Sequence, residues 1–300
     1  MGAMTQIVHG ATGAQGSPVL SALLSAGHDA TAAVRDISKV PGPAIPIDIT
    51  SVESLAVAYT GAKSVFVHLP LGSPDQQSTY ARVIAKAVAR ARPSRVVFST
   101  SGYPTTMPDG TLTAHGTLQE ALKTSGVSYA VIAPKIFLEN LLLPVTLEPA
   151  QEEGILRYPI RDDSAVSWIS HLDMADIAVR LLTDYSVTGI VTAGALPALR
   201  GQSLAQGFAH YLDTPVTFEV QEPESYGKQI IPLYGADASR PVIDSYHARW
   251  TMPDEVIDEQ RSAQKLLGSH PAPSCSGCAT SKHDPKSNHI KPRSFGKGLY

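Results

Sequence analysis

The chain has 300 residues, 43% hydrophobic, 17% charged and 6% aromatic, which is material for one large domain or two unequal lobes and excludes disorder throughout. Its 24 Lys+Arg against 27 Asp+Glu, a formal charge of −3, exclude a generally basic nucleic-acid-binding surface. No stretch approaches the ~18 consecutive apolar residues of a membrane span, no secretory leader is expected, and two cysteines build no disulfide framework, so the expected setting is the cytoplasm.

In chain order, Thr5-Gln6-Ile7-Val8-His9 reads as a strand running straight into Gly10-Ala11-Thr12-Gly13-Ala14-Gln15-Gly16. Val19, Leu20, Leu23 and Leu24 then recur at helical spacing, with Gly27 where a C-terminal cap belongs. Ala30–Val34 is a second strand, Val52–Tyr59 a short helix, and Ser64–Leu69 a third strand closed by Pro70. A longer helix is predicted over 76–91, a strand over Arg95–Ser99, a helix from Leu112 to Thr124 ending at Gly126, and a strand over Tyr129–Ile132. Strict alternation of this kind predicts an α/β fold, a doubly wound parallel sheet covered on both faces with right-handed crossovers. Beyond Phe137 the regularity fades, although a helix over Met174–Leu182 and a strand over Gly189–Thr192 still suit the main sheet. The expected division is a dinucleotide-binding domain over 4–140 completed by 166–194, with 141–165 and 195–267 forming a smaller, Pro-punctuated substrate lobe.

The last segment, 268–300, differs in kind. It holds Lys282, Lys286, Lys291, Arg293 and Lys297 against the single acid Asp284, a charge of +4, which leaves −7 on the remainder. Rich in Ser, Pro and Gly, it lacks the apolar surface to offset its ordering entropy and is expected to be a disordered or extraneous tail. Cys275, Cys278, His283 and His289 are zinc-ligand types, but their spacing falls short of a finger and no metal is expected.

Glycines at 10, 13 and 16 between a strand and a helix have a specific chemical use. Bare backbone lets a pyrophosphate approach, and the N–H groups of Thr12, Ala14 and Gln15 with the helix dipole attract its charge. Gly16 lets the helix pack closely on the strand. An NAD site would place an acid about 20 residues beyond the glycines. Here the second strand ends in Val34-Arg35-Asp36, and Arg35 can pair with a 2′-phosphate and stack on adenine, which favours NADP(H). Asp36 keeps NAD(H) open. Asp48 either accepts a bond from the adenine amino group or caps the next helix, where Thr50 and Ser51 compete for that role. His68 and Leu69, ending the third strand, lie beside the expected cofactor path, as do Ser99 and Thr100 at the end of the next.

With these residues in place the chain resembles the NmrA-like branch of the short-chain dehydrogenase/reductase superfamily, the atypical reductases. The resemblance rests on Gly10–Gly16, Ala33-Val34-Arg35-Asp36, Ile47-Asp48 before Ser51-Val52-Glu53-Ser54-Leu55, Val97–Ser101, Ser125–Tyr129, Phe137–Asn140 and His171–Ala178, and spans roughly 5–267. It implies a Rossmann fold and a nicotinamide cofactor. Such proteins include NADPH-dependent reductases of quinone- or ether-type substrates and redox-sensing regulators that bind the dinucleotide without turnover.

The superfamily's usual Tyr-x-x-x-Lys pair is not where the resemblance would put it; that register reads His115-Gly116-Thr117-Leu118-Gln119, and Tyr59…Lys63 matches the spacing by coincidence. The remaining candidates are Tyr103, His115 as an acid near neutral pH, and Lys135, which stands where the family usually has an arginine. Lys135 either polarises a carbonyl or holds a carboxylate, or simply bonds a loop carbonyl. Hydride transfer needs only cofactor and acceptor held close, so a missing tyrosine does not exclude reduction. Two functions therefore stay open: an NADP(H)-dependent oxidoreductase of a small carbonyl or quinone-type acceptor, and a non-catalytic NADP(H) sensor with a protein partner. Nucleic acid and membrane partners are not expected.

Overall fold

In the computed structural model, which describes residues 5–252 and 254–269, the apolar strands assemble into one seven-stranded sheet. The elements are β1 Gln6–His9, α1 Gly16–Ser25, β2 Ala30–Val34, β3 Ala44–Pro46, α2 Val52–Tyr59, β4 Ser64–His68, α3 Pro74–Ala91, β5 Arg95–Ser99, α4 Ala114–Thr124 and β6 Ser128–Pro134. They continue with β7 Ile136–Phe137, α5 Pro144–Glu152, β8 Ile155–Tyr158, β9 Trp168–Ile169, α6 His171–Thr183, β10 Gly189–Ala193, α7 Gly201–Leu212, β11 Thr217–Val220, α8 Pro223–Tyr234, α9 Ala236–Thr251 and α10 Ala263–Leu267.

The described residues form two compact units, 5–135 with 171–193 and 257–269, and 136–170 with 194–256. The first holds the sheet, in the order β10-β6-β5-β4-β1-β2-β3, with every pair parallel. This is the doubly wound Rossmann arrangement. The chain reverses its direction of travel across the sheet between β1 and β4, and the crevice at the carboxyl ends of those strands is where such sheets bind ligands.

Local chemistry sets the helices. Ser73 and Gln76 form a reciprocal capping box at the start of α3, with Pro74 at its first position. Ala81, Ile84, Ala87 and Val88 then face the sheet. The core beneath joins Ile7, Leu55, Tyr59, Val65, Val67, Val96, Phe98, Leu118 and Val131. Strands buried on both faces explain why β1, β4 and β5 read as continuous apolar runs.

Three differences from the sequence reading have physical causes. First, α4 starts at Ala114 and not Leu112: Thr113 is its cap, accepting from the Gly116 N–H at 3.1 Å, while Thr106 and Leu112 form an antiparallel bridge around a turn at Gly110. Second, the apolar run before Asp48 is a strand, β3, at the sheet edge. Third, residues 257–267 belong to the first unit. Ile257, Ala263 and Leu267 are buried, Ser262 bridges Thr192, and the Thr192 hydroxyl donates to the Asp258 carbonyl at 2.8 Å.

The second unit has two short parallel pairs, β8 with β11 and β7 with β9, and its own core of Leu156, Tyr158, Trp168, Phe208, Tyr226, Ile243 and Tyr246. The Tyr158 and Tyr246 hydroxyls bond to each other at its centre, and the Tyr226 ring packs within 5.7 Å of both rings. Among the described residues no helix is long and apolar enough to cross a membrane. The Cys275, Cys278, His283 and His289 set lies outside the described residues.

Candidate functional site

Strand β1 ends at His9, and Gly10 turns the chain with φ +60°, a conformation that costs an L-residue roughly 1–2 kcal/mol. The Gly13 N–H donates to the Gly10 carbonyl at 2.8 Å, and the Ser17 N–H to the Gly13 carbonyl at 3.0 Å, which curls the turn into α1. Close approach as well as φ demands glycine here. A Cβ on Gly16 would stand 2.3 Å from the Gly10 oxygen and 2.5 Å from the His9 oxygen; one on Gly10 would stand 2.6 Å from His68 Nε2.

At the start of α1 the Gln15 side chain makes no capping bond. Among the described residues the Ala14 and Gln15 N–H groups donate to no backbone carbonyl. Those amides are open to an anion at the positive end of the helix. The Gln15 amide is engaged elsewhere: Ser99 Oγ donates to its Oε1 at 2.7 Å, its Nε2 donates to Ser101 Oγ at 2.9 Å, and the Ser101 N–H donates to Ser99 Oγ at 3.2 Å. This triangle, buried at Gln15 and Ser99, ties the glycine turn to the end of β5, with Ser101 at φ +56°. Thr12 is exposed on the turn, and Leu69 and Thr100 are buried beside the ends of β4 and β5.

Four histidines occupy the same edge: His9 ends β1, His68 ends β4, His115 is the second residue of α4, and His171 opens α6. Burial pushes the His9 pKa down to about 3 and those of His115 and His171 to about 4, and it also lowers that of His68; a proton on His68 would further repel a proton on each of the others. All four are neutral at pH 7. His9 Nε2 hydrogen-bonds the buried Tyr59 hydroxyl at 2.7 Å, which gives the tyrosine of the coincidental Tyr59…Lys63 pair a structural partner. The His115 ring stacks between Phe98 and Tyr103, with centroids at 6.2 and 4.9 Å. His68 Nε2 and His115 Nε2 are buried without a hydrogen-bond partner among the described residues, each at a cost on the order of 1–3 kcal/mol that a ligand can relieve. His115 as an acid near neutral pH is therefore corrected: its neutral ring is a hydrogen-bonding group and not an imidazolium. No group of three or more His, Cys, Asp or Glu among the described residues is placed to hold a metal ion.

Arg35 is exposed just past the end of β2. Asp36 is spent locally: its Oδ1 accepts from the Ser38 N–H at 3.1 Å and the Ser38 hydroxyl at 2.6 Å, and its Oδ2 lies 3.9 Å from Lys39 Nζ. Asp48 is likewise engaged, by the Thr50 N–H at 2.8 Å and hydroxyl at 2.6 Å, while Ser51 caps α2. It follows β3, separated from β1 by β2. Lys135 is half-buried at the last position of the first unit before the chain leaves it.

A glycine turn with open amides, a half-buried imidazole with an unpartnered nitrogen beside it and a Rossmann sheet suit a dinucleotide. The sequence profile of NAD(P)H-binding proteins matches residues 10–185, more than half of the chain. The chain belongs to the NAD(P)H-binding family. Membership agrees with the NmrA-like resemblance of the sequence. One relative, an NAD(P)H azoreductase of Xenophilus azovorans, is 28% identical over 225 residues, spanning 71% of this chain and 75% of that protein. Solved structures share the fold at low identity. A Staphylococcus aureus nucleoside-diphosphate-sugar epimerase superposes with TM-score 0.77 at 17% identity. An NADP(H) complex of Citrobacter sp. triphenylmethane reductase gives 0.73 at 17%, and an Escherichia coli NADPH-dependent quinone oxidoreductase with NADPH gives 0.71 at 16%. Each comparison covers 92% of this chain and 99% of the other.

Sequence reasoning missed His9 and His171 as members of the histidine group. The signal was present for His9, a titratable residue closing an apolar strand at the carboxyl edge. It was absent for His171, whose approach to His68 depends on α6 packing.

Proposed function

We propose that this NAD(P)H-binding protein is an NADP(H)-dependent oxidoreductase that reduces a small carbonyl, quinone or similarly conjugated acceptor. The observation that carries the reading is the turn at Gly10–Gly16, open at Ala14 and Gln15 and placed at the β1/β4 switch point. The azoreductase relative supports reduction of a conjugated acceptor. Bound there, the reduced nicotinamide supplies a hydride. The chain's own residues do the rest: amides 14 and 15 hold the pyrophosphate, Gln15 with Ser99 fixes the turn, and Arg35 takes the 2′-phosphate. With Asp36 Oδ1 tied to Ser38, the acid that would hold an unphosphorylated ribose is engaged, and Arg35, Ser38 and Lys39 surround the position with donors. Thr100, Tyr103, His115 and Lys135 are proposed to position the acceptor, His115 as a neutral hydrogen-bonding group. The reducing cytoplasm is the proposed setting.

Two measurements test this reading. Arg35→Ala should weaken NADPH roughly 10- to 100-fold by calorimetry and NADH by less than about threefold; equal weakening of both would remove the 2′-phosphate argument. NADPH oxidation should appear with at least one member of a quinone, azo and aldehyde panel.

Tight binding with no oxidation would favour a second reading, a dinucleotide sensor that presents itself to a protein partner. That reading draws on His115, which stands neutral where the superfamily's tyrosine would act.

A further inference from the structure

We propose that His68 is a phosphate ligand that takes up a proton when the dinucleotide binds, so that cofactor affinity is proton-linked through this one residue. The inference rests on the dinucleotide reading above and goes beyond it by naming the group and its change of state.

Three observations place His68 and not another histidine in this role. Its Nε2 stands 2.6 Å from where a Gly10 Cβ would be, so the ring lies directly against the turn that presents the open amides. That nitrogen is buried and has no hydrogen-bond partner among the described residues. The other ring nitrogen, Nδ1, faces the Leu69 carbonyl at 3.4 Å, and donation to it leaves Nε2 as the unprotonated nitrogen. A lone pair there would repel a phosphate oxygen, whereas an N–H would bond it.

The surroundings explain why the proton arrives only with the ligand. From β1, α4 and α6 the groups coupled to His68 are His9, His115 and His171, each neutral at pH 7, so none brings a negative charge that would hold a proton on it, and the Phe66 ring centroid lies 6.1 Å away. Burial lowers the pKa of His68 in the free protein, outweighing the hydrogen bond to the Leu69 carbonyl, which raises it. A pyrophosphate on the turn brings two negative charges beside Nε2 and reverses that balance. The proton comes from solvent, Nε2–H forms, and it donates to a phosphate oxygen; no bond of the cofactor is made or broken.

Titration calorimetry of NADPH at about pH 7.5, where its 2′-phosphate is already largely ionised, in buffers of different ionisation enthalpy counts the protons taken up. The wild type should absorb a sizeable fraction of a proton per cofactor, and its affinity should fall with rising pH by up to about tenfold per unit. His68→Gln, which keeps a hydrogen-bond donor and cannot titrate, should abolish both dependences and weaken binding. His115→Gln should preserve them. A wild-type enthalpy independent of buffer overturns the proposal whether or not the variants fold, and so does proton uptake that survives in His68→Gln. Either result leaves cofactor binding itself intact; absence of NADPH binding by the wild type would instead sink the dinucleotide reading and this one with it.

Discussion

Two glycines show how the same residue serves opposite purposes. A methyl group at Gly16 would meet the Gly10 and His9 carbonyl oxygens at 2.3 and 2.5 Å, backbone atoms that cannot rotate away. Relief must come from moving α1 off β1, which opens the turn. Gly16→Ala should therefore cost about 1–3 kcal/mol in urea unfolding and reduce NADPH affinity by more than tenfold. Gly207, inside α7, has nothing within 4 Å of its would-be Cβ. There Gly207→Ala should stabilise by about 0.5–1 kcal/mol, seen as a raised thermal midpoint, and leave cofactor affinity unchanged. The contrast separates close approach at the candidate site from ordinary helix propensity. Gln15 adds a polar counterpart: its side chain is occupied by Ser99 and Ser101, so it holds the turn in shape while its N–H stays open to a ligand.

At the scale of elements, one buried cation organises the far end of the sheet. Arg95 opens β5 with its side chain fully buried; Nε donates to the Leu181 carbonyl at 2.6 Å, Nη1 to Ser128 Oγ at 2.9 Å and Nη2 to the Val187 carbonyl at 2.5 Å. The guanidinium also lies 5.1 Å from the Tyr185 ring centroid. It thereby joins β5 to the start of β6, to the last turn of α6 and to the α6–β10 connection, placing positive charge where the helix dipole is negative. Arg95→Met removes the donor from three acceptors, the buried Leu181 carbonyl and the half-buried Ser128 hydroxyl and Val187 carbonyl, and should cost about 2–4 kcal/mol by denaturant unfolding; Arg95→Lys should recover only part, because one ammonium cannot reproduce the fork. Nothing at Arg95 in the sequence announces this, because its partners Leu181 and Val187 lie 86 and 92 residues away. The same distance effect marks what was legible. Strands β1, β4 and β5 and the turn between β1 and α1 are set by contiguous residues, so period and glycine spacing give them directly. Three of the four α-helices described in the second unit, α5, α8 and α9, carry Pro149, Pro232 and Pro241 inside their own spans, which interrupts their helical pattern. Of the candidate site, the glycine turn and Arg35 were readable from spacing. The Gln15–Ser99–Ser101 triangle and the convergence of histidines were not, since tertiary packing alone creates them.

On the scale of the whole molecule, the sheet unit carries an acid sensitivity set by its buried histidines. Burial holds His9 near a pKa of about 3 and His115 and His171 near about 4, against an ordinary 6.5 in the unfolded chain. Depressed folded-state values mean that the unfolded chain binds protons first as pH falls. The stability these groups contribute is present above pH 6.5 and drains away as pH drops toward their folded values. From pH 7 to pH 5 the loss should be about 2 kcal/mol for each of the three, in a window where carboxylates in the unfolded chain are still largely ionised. The two histidines of the second unit that the structure describes, His210 and His247, are exposed, so that unit has no buried imidazole among the described residues. The chain has two tryptophans, Trp168 and Trp250, and both lie in the second unit, so their fluorescence reports that unit, while far-ultraviolet circular dichroism reports both. At pH 7 the two probes should trace urea transitions close together. At pH 5 the dichroism transition should gain an early phase at low urea that fluorescence does not follow, and His9→Gln should move that phase back toward higher urea. Coincident transitions at pH 5, shifted equally for both probes, would show that the two units unfold as one and that the histidines do not set the order.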